Sequence, residues 1–229
     1  MSRKLTIAID GPAGAGKSST ARGVAERLGY IYVDTGAMYR AVAYLAMQAG
    51  LSIQQDAEAI GELAGKMQVE FHSVGSQQHI FANGEDLEDK VRRPEVGAMS
   101  SAVSAIPPVR KNLLQTQRDL ARDAGVVMEG RDIGTVVLPD ADLKIFLTAS
   151  AEERARRRFE QTKDKHPDLT FEQVLANQLE RDQRDRSREV APLKKAEDAV
   201  EVVSVGLSLE QVIERIVAVA RAKEAEADA

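Results

Sequence analysis

Residues 11–18 read Gly-Pro-Ala-Gly-Ala-Gly-Lys-Ser, a G-x-x-x-x-G-K-S spacing. Glycines at 11, 14 and 16 let the backbone fold tightly and turn successive N–H groups toward one point. A helix starting there adds positive potential. The chemistry this allows is the cradling of a phosphate chain. Lys17 reaches the β- and γ-phosphates and the Ser18 hydroxyl ligates Mg²⁺. A plain Gly/Ala turn before a helix is the alternative, and the flanking sequence argues against it.

Two further polar sets have the same flavour. Asp34-Thr35-Gly36 with Arg40, and Glu129-Gly130-Arg131-Asp132, each follow a short apolar run. An Asp beside an Arg also pairs with it and pins a turn. Two such sets at strand ends, beside a phosphate loop, favour substrate binding. At about 100° per residue, Arg181, Arg184, Asp185 and Arg188 fall on one arc roughly 100° wide. Arg154, Arg157 and Arg158 share another helical face at i, i+3 and i+4. Guanidiniums suit bidentate phosphate contacts, so both arcs read as phosphate clamps rather than solvated faces.

Positioning these groups requires a parallel sheet. Leu5–Ile9 reads as a buried strand, Lys17–Leu28 as a crossover helix stopped by Gly29, and Tyr30–Val33 as the next strand. Ala37–Ala49 is a helix stopped at Gly50, and Asp56 caps another toward Lys66. The pattern changes at Val69: short alternating segments surround Gly75-Ser76, and Asn83-Gly84 marks a tight turn. Residues 67–90 therefore parse as a small antiparallel β insertion, leaving 1–66 and 91–229 as the core. A helix from Pro107-Pro108 to about Asp123 buries Val109, Leu113, Leu114 and Leu120. Val126–Glu129 and Leu143–Leu147 are buried strands, and Ala151–Thr162 is a basic helix. Thr170-x-x-Gln173 opens a helix to about Ser187, Ala199–Val203 is the last strand, and Ser208-x-x-Gln211 opens a final helix fraying from Lys223. The fold class is α/β: a parallel sheet with helices on both faces, ligands gathering at the strand carboxyl ends. Residues 151–168, ending at His166-Pro167, are the expected lid, closing over a nucleotide and excluding water.

Composition closes off other chemistries. The chain has 229 residues, no cysteine and three histidines, His72, His79 and His166, none paired at metal-ligand spacing. Disulfide and thiolate-metal chemistry are excluded, and a metal would be a hard cation held by oxygens. The net charge of −5 argues against general nucleic-acid binding. The N-terminal apolar run is too short for a signal peptide or a span, so cytoplasmic residence with no membrane partner is expected. Ser100, Ser101 and Ser104 read as surface positions, and the two ribbon histidines as partly exposed. Tyr39 and Tyr44 read as packing residues, and Met38, Met47, Met67, Met99 and Met128 as core filler.

Taken together, these elements resemble the bacterial cytidylate kinases, within the nucleoside monophosphate kinases of the P-loop class. The likeness runs through Ile9-Asp10-Gly11-Pro12, Gly16-Lys17-Ser18, Asp34-Thr35-Gly36-Ala37-Met38-Tyr39-Arg40 and Gly130-Arg131-Asp132-Ile133-Gly134-Thr135. Lys144–Leu147, Glu152–Arg158 and Val190-Ala191-Pro192-Leu193 continue it. The resemblance implies transfer of the ATP γ-phosphoryl group to CMP or dCMP, with Mg²⁺; a monomer is expected. It implies that Gly11, Pro12, Ala13, Gly14, Ala15, Gly16, Lys17, Ser18 and Ser19 hold ATP. Ser101, Arg110 and Asp132 become cytosine contacts, Arg40, Arg131 and Arg188 the monophosphate clamp, and Arg181 with Asp185 the sugar contacts. Thr35 joins the substrate residues, and Arg157 approaches the triphosphate, so that Lys17, Arg131, Arg157 and Arg188 form the catalytic set. The chain departs from the family pattern at Arg93, Pro94 and Gly97.

Other acceptors remain open: UMP, AMP, or a small alcohol as in shikimate-type kinases. The base-directed trio argues against the alcohol. A GTPase-like switch needs an Asn-Lys-x-Asp element, and Thr162-Lys163-Asp164 lacks that order.

Overall fold

The computed structural model describes residues 3–74, 77–123, 125–164 and 167–227. The Gly75-Ser76 turn and the lid residues Lys165 and His166 lie outside the described residues. In chain order the elements are β1 (Thr6–Asp10), α1 (Lys17–Leu28), β2 (Ile31–Asp34), α2 (Thr35–Gln48), α3 (Ala57–Lys66), β3 (Val69–Val74), β4 (Gln77–Ala82), β5 (Glu85–Asp86), α4 (Glu88–Val91), α5 (Pro94–Val103), α6 (Pro107–Asp119), β6 (Val126–Gly130), β7 (Leu143–Thr148), α7 (Ala151–Thr162), α8 (Phe171–Ser187), β8 (Val200–Val203) and α9 (Leu209–Ala227).

The chain divides into two compact units, residues 1–32 with 123–229, and residues 33–122. The second is wider than the 67–90 ribbon, because α2, α3, α5 and α6 share a core with it. A five-stranded sheet, all of it in the first unit but the last two residues of β2, has the order β2-β6-β1-β7-β8. β1 pairs in parallel with β6 on one side and β7 on the other, and β7 with β8. The phosphate-loop strand is thus central, and Asp10 is level with Gly130. Ile7, Ile9, Val127, Ile145 and Leu147 meet Val24 of α1 and Ile213 and Ile216 of α9 in one dry core. Ala8, Val126 and Met128, which alternate onto the opposite face, are buried as well, and burial on both sides is why the strands read as continuous apolar runs.

In the second unit β3, β4 and β5 form an antiparallel sheet, with Val69 opposite Ala82 and Val74 opposite Gln77. Asn83 and Gly84 both have positive φ, 52° and 81°, the pairing a tight hairpin turn demands. Ile80, Leu87, Val91, Val103 and Leu113 pack with Met38 and Val42 of α2.

Several local expectations shift. α2 starts at Thr35, not Ala37, because the Asp34 side chain accepts from Ala37 N at 2.9 Å and caps it there. Beyond Asp132 the chain makes a π-helical turn, Ile133–Val137, which no local pattern announces. α9 does not fray at Lys223: that residue donates to Asp142 O at 2.5 Å, and Tyr30 Oη bonds Glu224, so the helix runs on to Ala227. Met47 is exposed and Met99 only partly buried, whereas Met38, Met67 and Met128 are core. Ser100 is buried, its hydroxyl donating to Gly97 O at 2.9 Å, which corrects its reading as a surface residue. Ser101 and Ser104 are half-buried.

Candidate active site

The phosphate loop leaves β1 at Gly11, whose φ is 152° and where a Cβ would lie 2.0 Å from Leu147 O of β7. Only glycine passes that point. Gly14 and Gly16 follow at φ 76° and 92°, and both are exposed. α1 then opens with no side-chain cap and no acidic residue in its first turn. By contrast α2, α7 and α8 are capped by Asp34, Ser150 and Thr170. Gly16 stands at the N-cap, which costs only about a few tenths of a kcal/mol against a side-chain cap and leaves the first N–H groups for an anion.

Lys17 is buried and donates to Pro12 O at 2.9 Å. Burial, helped by the Arg131 charge, pulls its pKa down to about 7, against the pull of Glu129. The Ser18 and Ser19 side chains are exposed at the helix start. Among the described residues no group of three or more His, Asp or Glu could hold a metal ion. The Ser18 hydroxyl is an oxygen donor of the kind a hard cation takes.

One strand away, β6 ends at Gly130 and delivers Arg131 and Asp132. Asp10 fixes their direction: its two oxygens accept from Ile133 N and Gly134 N, both at 2.8 Å. Burial raises the Asp10 pKa to about 6, with the two N–H groups opposing. The clasp holds the start of the π-helical turn against β1. Arg131 Nε donates to Asp185 Oδ2 at 2.9 Å, and Arg188 Nη2 lies 3.4 Å from Asp132 Oδ1. For Asp185, burial would raise the pKa, and the Arg131, Arg181 and Arg188 charges overcome it, leaving it lowered. Arg131, Asp132, Arg181, Asp185 and Arg188 therefore form one charged cluster, which keeps three of the four residues of the helical arc and leaves out Arg184. Glu129, also buried, accepts from Tyr32 Oη at 2.7 Å; nothing in the local sequence signals that pair.

The second unit carries the remaining candidates. Asp34 takes Arg40 at 2.8 Å and Arg92 at 3.4 Å, so the turn-pinning pair weighed from sequence is real and has a third member. Arg40 Nε is nevertheless buried without a hydrogen-bond partner among the described residues. Thr35 is buried beside this pair at the start of α2. Arg110, also buried, donates to Ser104 O at 2.9 Å and lies 5.3 Å from the centroid of the Tyr39 ring, so Tyr39 does more than fill the core. Arg93 and Pro94, which depart from the family pattern, form the N-cap and first turn of α5.

The two arginine arcs do not survive whole. Arg184 is exposed and 3.7 Å from Glu180, and Arg158 is exposed. Arg154 is 3% exposed and bound to Asp182, Ala149 O and Ala13 O, which makes it a brace rather than a clamp. Arg157 donates to Glu153 and, at 3.0 Å each, to Ser204 Oγ and Ser204 O.

Comparison with known proteins gives the family of the chain. The family model described as cytidylate kinase matches residues 7–222. The cytidylate kinase of Geobacter sulfurreducens is 47% identical over 222 residues, covering 97% of this chain and 95% of its own. That of Bacillus velezensis is 45% identical over 223 residues, covering 97% and 99%. An uncharacterised protein from Eubacterium ventriosum has a crystal structure alike at TM-score 0.52 and 12% identity, over 96% of this chain and 99% of that one, a likeness of fold alone. No helix among the described residues is long and apolar enough to cross a membrane. The chain belongs to the cytidylate kinase family.

Proposed function

We propose that this chain transfers the γ-phosphoryl group of ATP to CMP or dCMP, giving CDP or dCDP and ADP. One observation carries the reading: the phosphate loop and the Arg131-Asp132 segment leave adjacent strands at the same level of the sheet. Neighbouring strands are about 4.8 Å apart, so a donor cradle and a cationic acceptor cluster start side by side.

In this reading the loop N–H groups, Lys17, Ser18 and Ser19 hold the ATP phosphates. Arg131 and Arg188 meet the acceptor phosphate with Arg40, whose partnerless Nε is a donor awaiting an anion. Arg181 and Asp185 take the sugar, and Thr35 lines the acceptor side. Asp132 accepts from the exocyclic amine of cytosine, while Ser101 and Arg110 donate to its ring acceptors. Arg157 exchanges Ser204 for the triphosphate. Ser18, with phosphate oxygens, would hold Mg²⁺, which would supply charge neutralisation of the transferring group. No general base is required, because a monophosphate oxygen is already nucleophilic; catalysis is positioning and cationic stabilisation.

The test is turnover with CMP, dCMP, UMP and AMP at fixed ATP. CMP or dCMP should lead in kcat/KM by about tenfold or more. A lead for AMP overturns the assignment.

A further inference from the structure

The phosphate loop is held from outside by side chains that no phosphate-binding motif contains. Ala13 O accepts two donors: Arg154 Nη1 of α7 at 2.9 Å and Gln178 Nε2 of α8 at 2.7 Å. The Arg154 guanidinium is itself gripped by both oxygens of Asp182, at 3.1 and 2.5 Å, and donates through Nε to Ala149 O at 3.0 Å. Arg154, Gln178 and Asp182 are all buried. A Cβ on Gly14 would stand 3.3 Å from Arg154 Cβ and 3.7 Å from Gln178 Oε1, so the loop backbone lies in close contact with these two helices.

A trans peptide is planar, with its C=O and N–H pointing opposite ways, and the chain has no cis bond among the described residues. Pinning Ala13 O toward α7 and α8 therefore aims Gly14 N–H away from them. Flipping that peptide would break two hydrogen bonds at once, one from a charged donor, in a dry setting where neither is replaced by water.

We propose that Gln178 and the Arg154–Asp182 pair are positioning residues that preset the Ala13–Gly14 peptide for the donor phosphates. None of them touches the nucleotide. They act by fixing one N–H direction before ATP arrives, which removes an ordering cost from binding. The inference rests on the loop being the ATP site but not on which monophosphate is the acceptor.

α8 supplies an internal control. Gln178, Asp182 and Asp185 lie at i, i+4 and i+7 on its buried face, and Asp185 holds Arg131 in the acceptor cluster. A substitution that merely disturbs α8 would weaken acceptor and donor alike, whereas loss of the Ala13 contact alone would weaken only the donor.

The experiment is calorimetric titration of AMP-PNP with Mg²⁺, and separately of CMP, into the full chain and its Gln178→Met variant. Methionine has similar length and no donor. AMP-PNP affinity should fall about five- to tenfold, the scale of one buried hydrogen bond, and CMP affinity should stay within about twofold. Arg154→Lys, which keeps the charge but cannot serve Asp182 and Ala13 together, should show the same selectivity. AMP-PNP affinity within about twofold of the parent in Gln178→Met, or equal losses for both ligands, overturns the proposal. A parent chain that binds AMP-PNP and prefers another monophosphate would overturn the acceptor assignment and leave this one standing, with that monophosphate as the control.

Discussion

Lys17 is a charge placed where charge is costly. Its pKa is drawn to about 7 by burial and by Arg131, against 10.5 for an ordinary lysine. A group whose folded pKa is lowered destabilises the fold fully below that pKa, and the cost fades as pH rises toward the unfolded value. Lys17→Met should therefore abolish turnover and yet raise the melting temperature, by at least about 2–4 °C at pH 7, corresponding to roughly 1 kcal/mol after the Pro12 contact is lost. The gain should shrink by pH 9.5. A variant less stable than its parent at pH 7, or an equal gap at both pH values in thermal scans, would remove this account. Asp132 makes a second residue-scale case. Asparagine there can present an amide donor where cytosine needs an acceptor, so Asp132→Asn should cut the CMP-over-UMP ratio of kcat/KM by about tenfold or more. An unchanged ratio would take Asp132 out of the base site.

Elements in this chain are set partly by local signals and partly by distant clasps, and only the former are legible in sequence. Capping pairs Thr170/Gln173 and Ser208/Gln211 form as their spacing announces. The Asn83-Gly84 turn and the strand runs do as well. The π-helical turn after Asp132 is not legible, because Asp10 imposes it from 123 residues away. Nor is the role of Arg154: its spacing to Arg157 and Arg158 suggested a shared clamp, and a partner on another helix, Asp182, claims it. Helix contact in the second unit turns on a residue of the same unremarkable kind. Gly61 of α3 faces α6 so closely that a Cβ would sit 2.4 Å from Pro108 Cβ, and Gly61 O accepts from Asn112 at 2.8 Å. A proline ring cannot rotate away, so Gly61→Ala should cost about 1–3 kcal/mol, some 3–10 °C in melting temperature. Gly97→Ala, in α5 with nothing within 4 Å of the added Cβ, should be neutral or stabilising by up to about 1 kcal/mol. Equal effects at the two positions in thermal denaturation would show that helix approach is not what Gly61 provides.

Across the whole molecule, an acidic chain of net charge −5 serves two polyanionic nucleotides. It does so by concentrating arginines and engaging four of them with aspartates: Arg131 with Asp185, Arg188 with Asp132, and Arg40 and Arg92 with Asp34. Paired in this way the guanidiniums are oriented without leaving a bare field of positive charge. Sequence showed which arginines gather at strand ends; it could not show which aspartate answers each, nor that residues 33–122 form a unit with its own core, since α5 and α6 look like any amphipathic helix. Because the sites exist only in the folded chain, each nucleotide should stabilise it by mass action, by about 2.7 kcal/mol at a hundredfold excess over Kd. For a chain of this size that is roughly 5–10 °C in melting temperature. CMP and AMP-PNP with Mg²⁺ should each raise the transition, both together more than either, while UMP at equal concentration raises it less than CMP. If AMP-PNP shifts the transition and CMP does not, the loop assignment stands and the acceptor cluster has been misread; if neither does, both have.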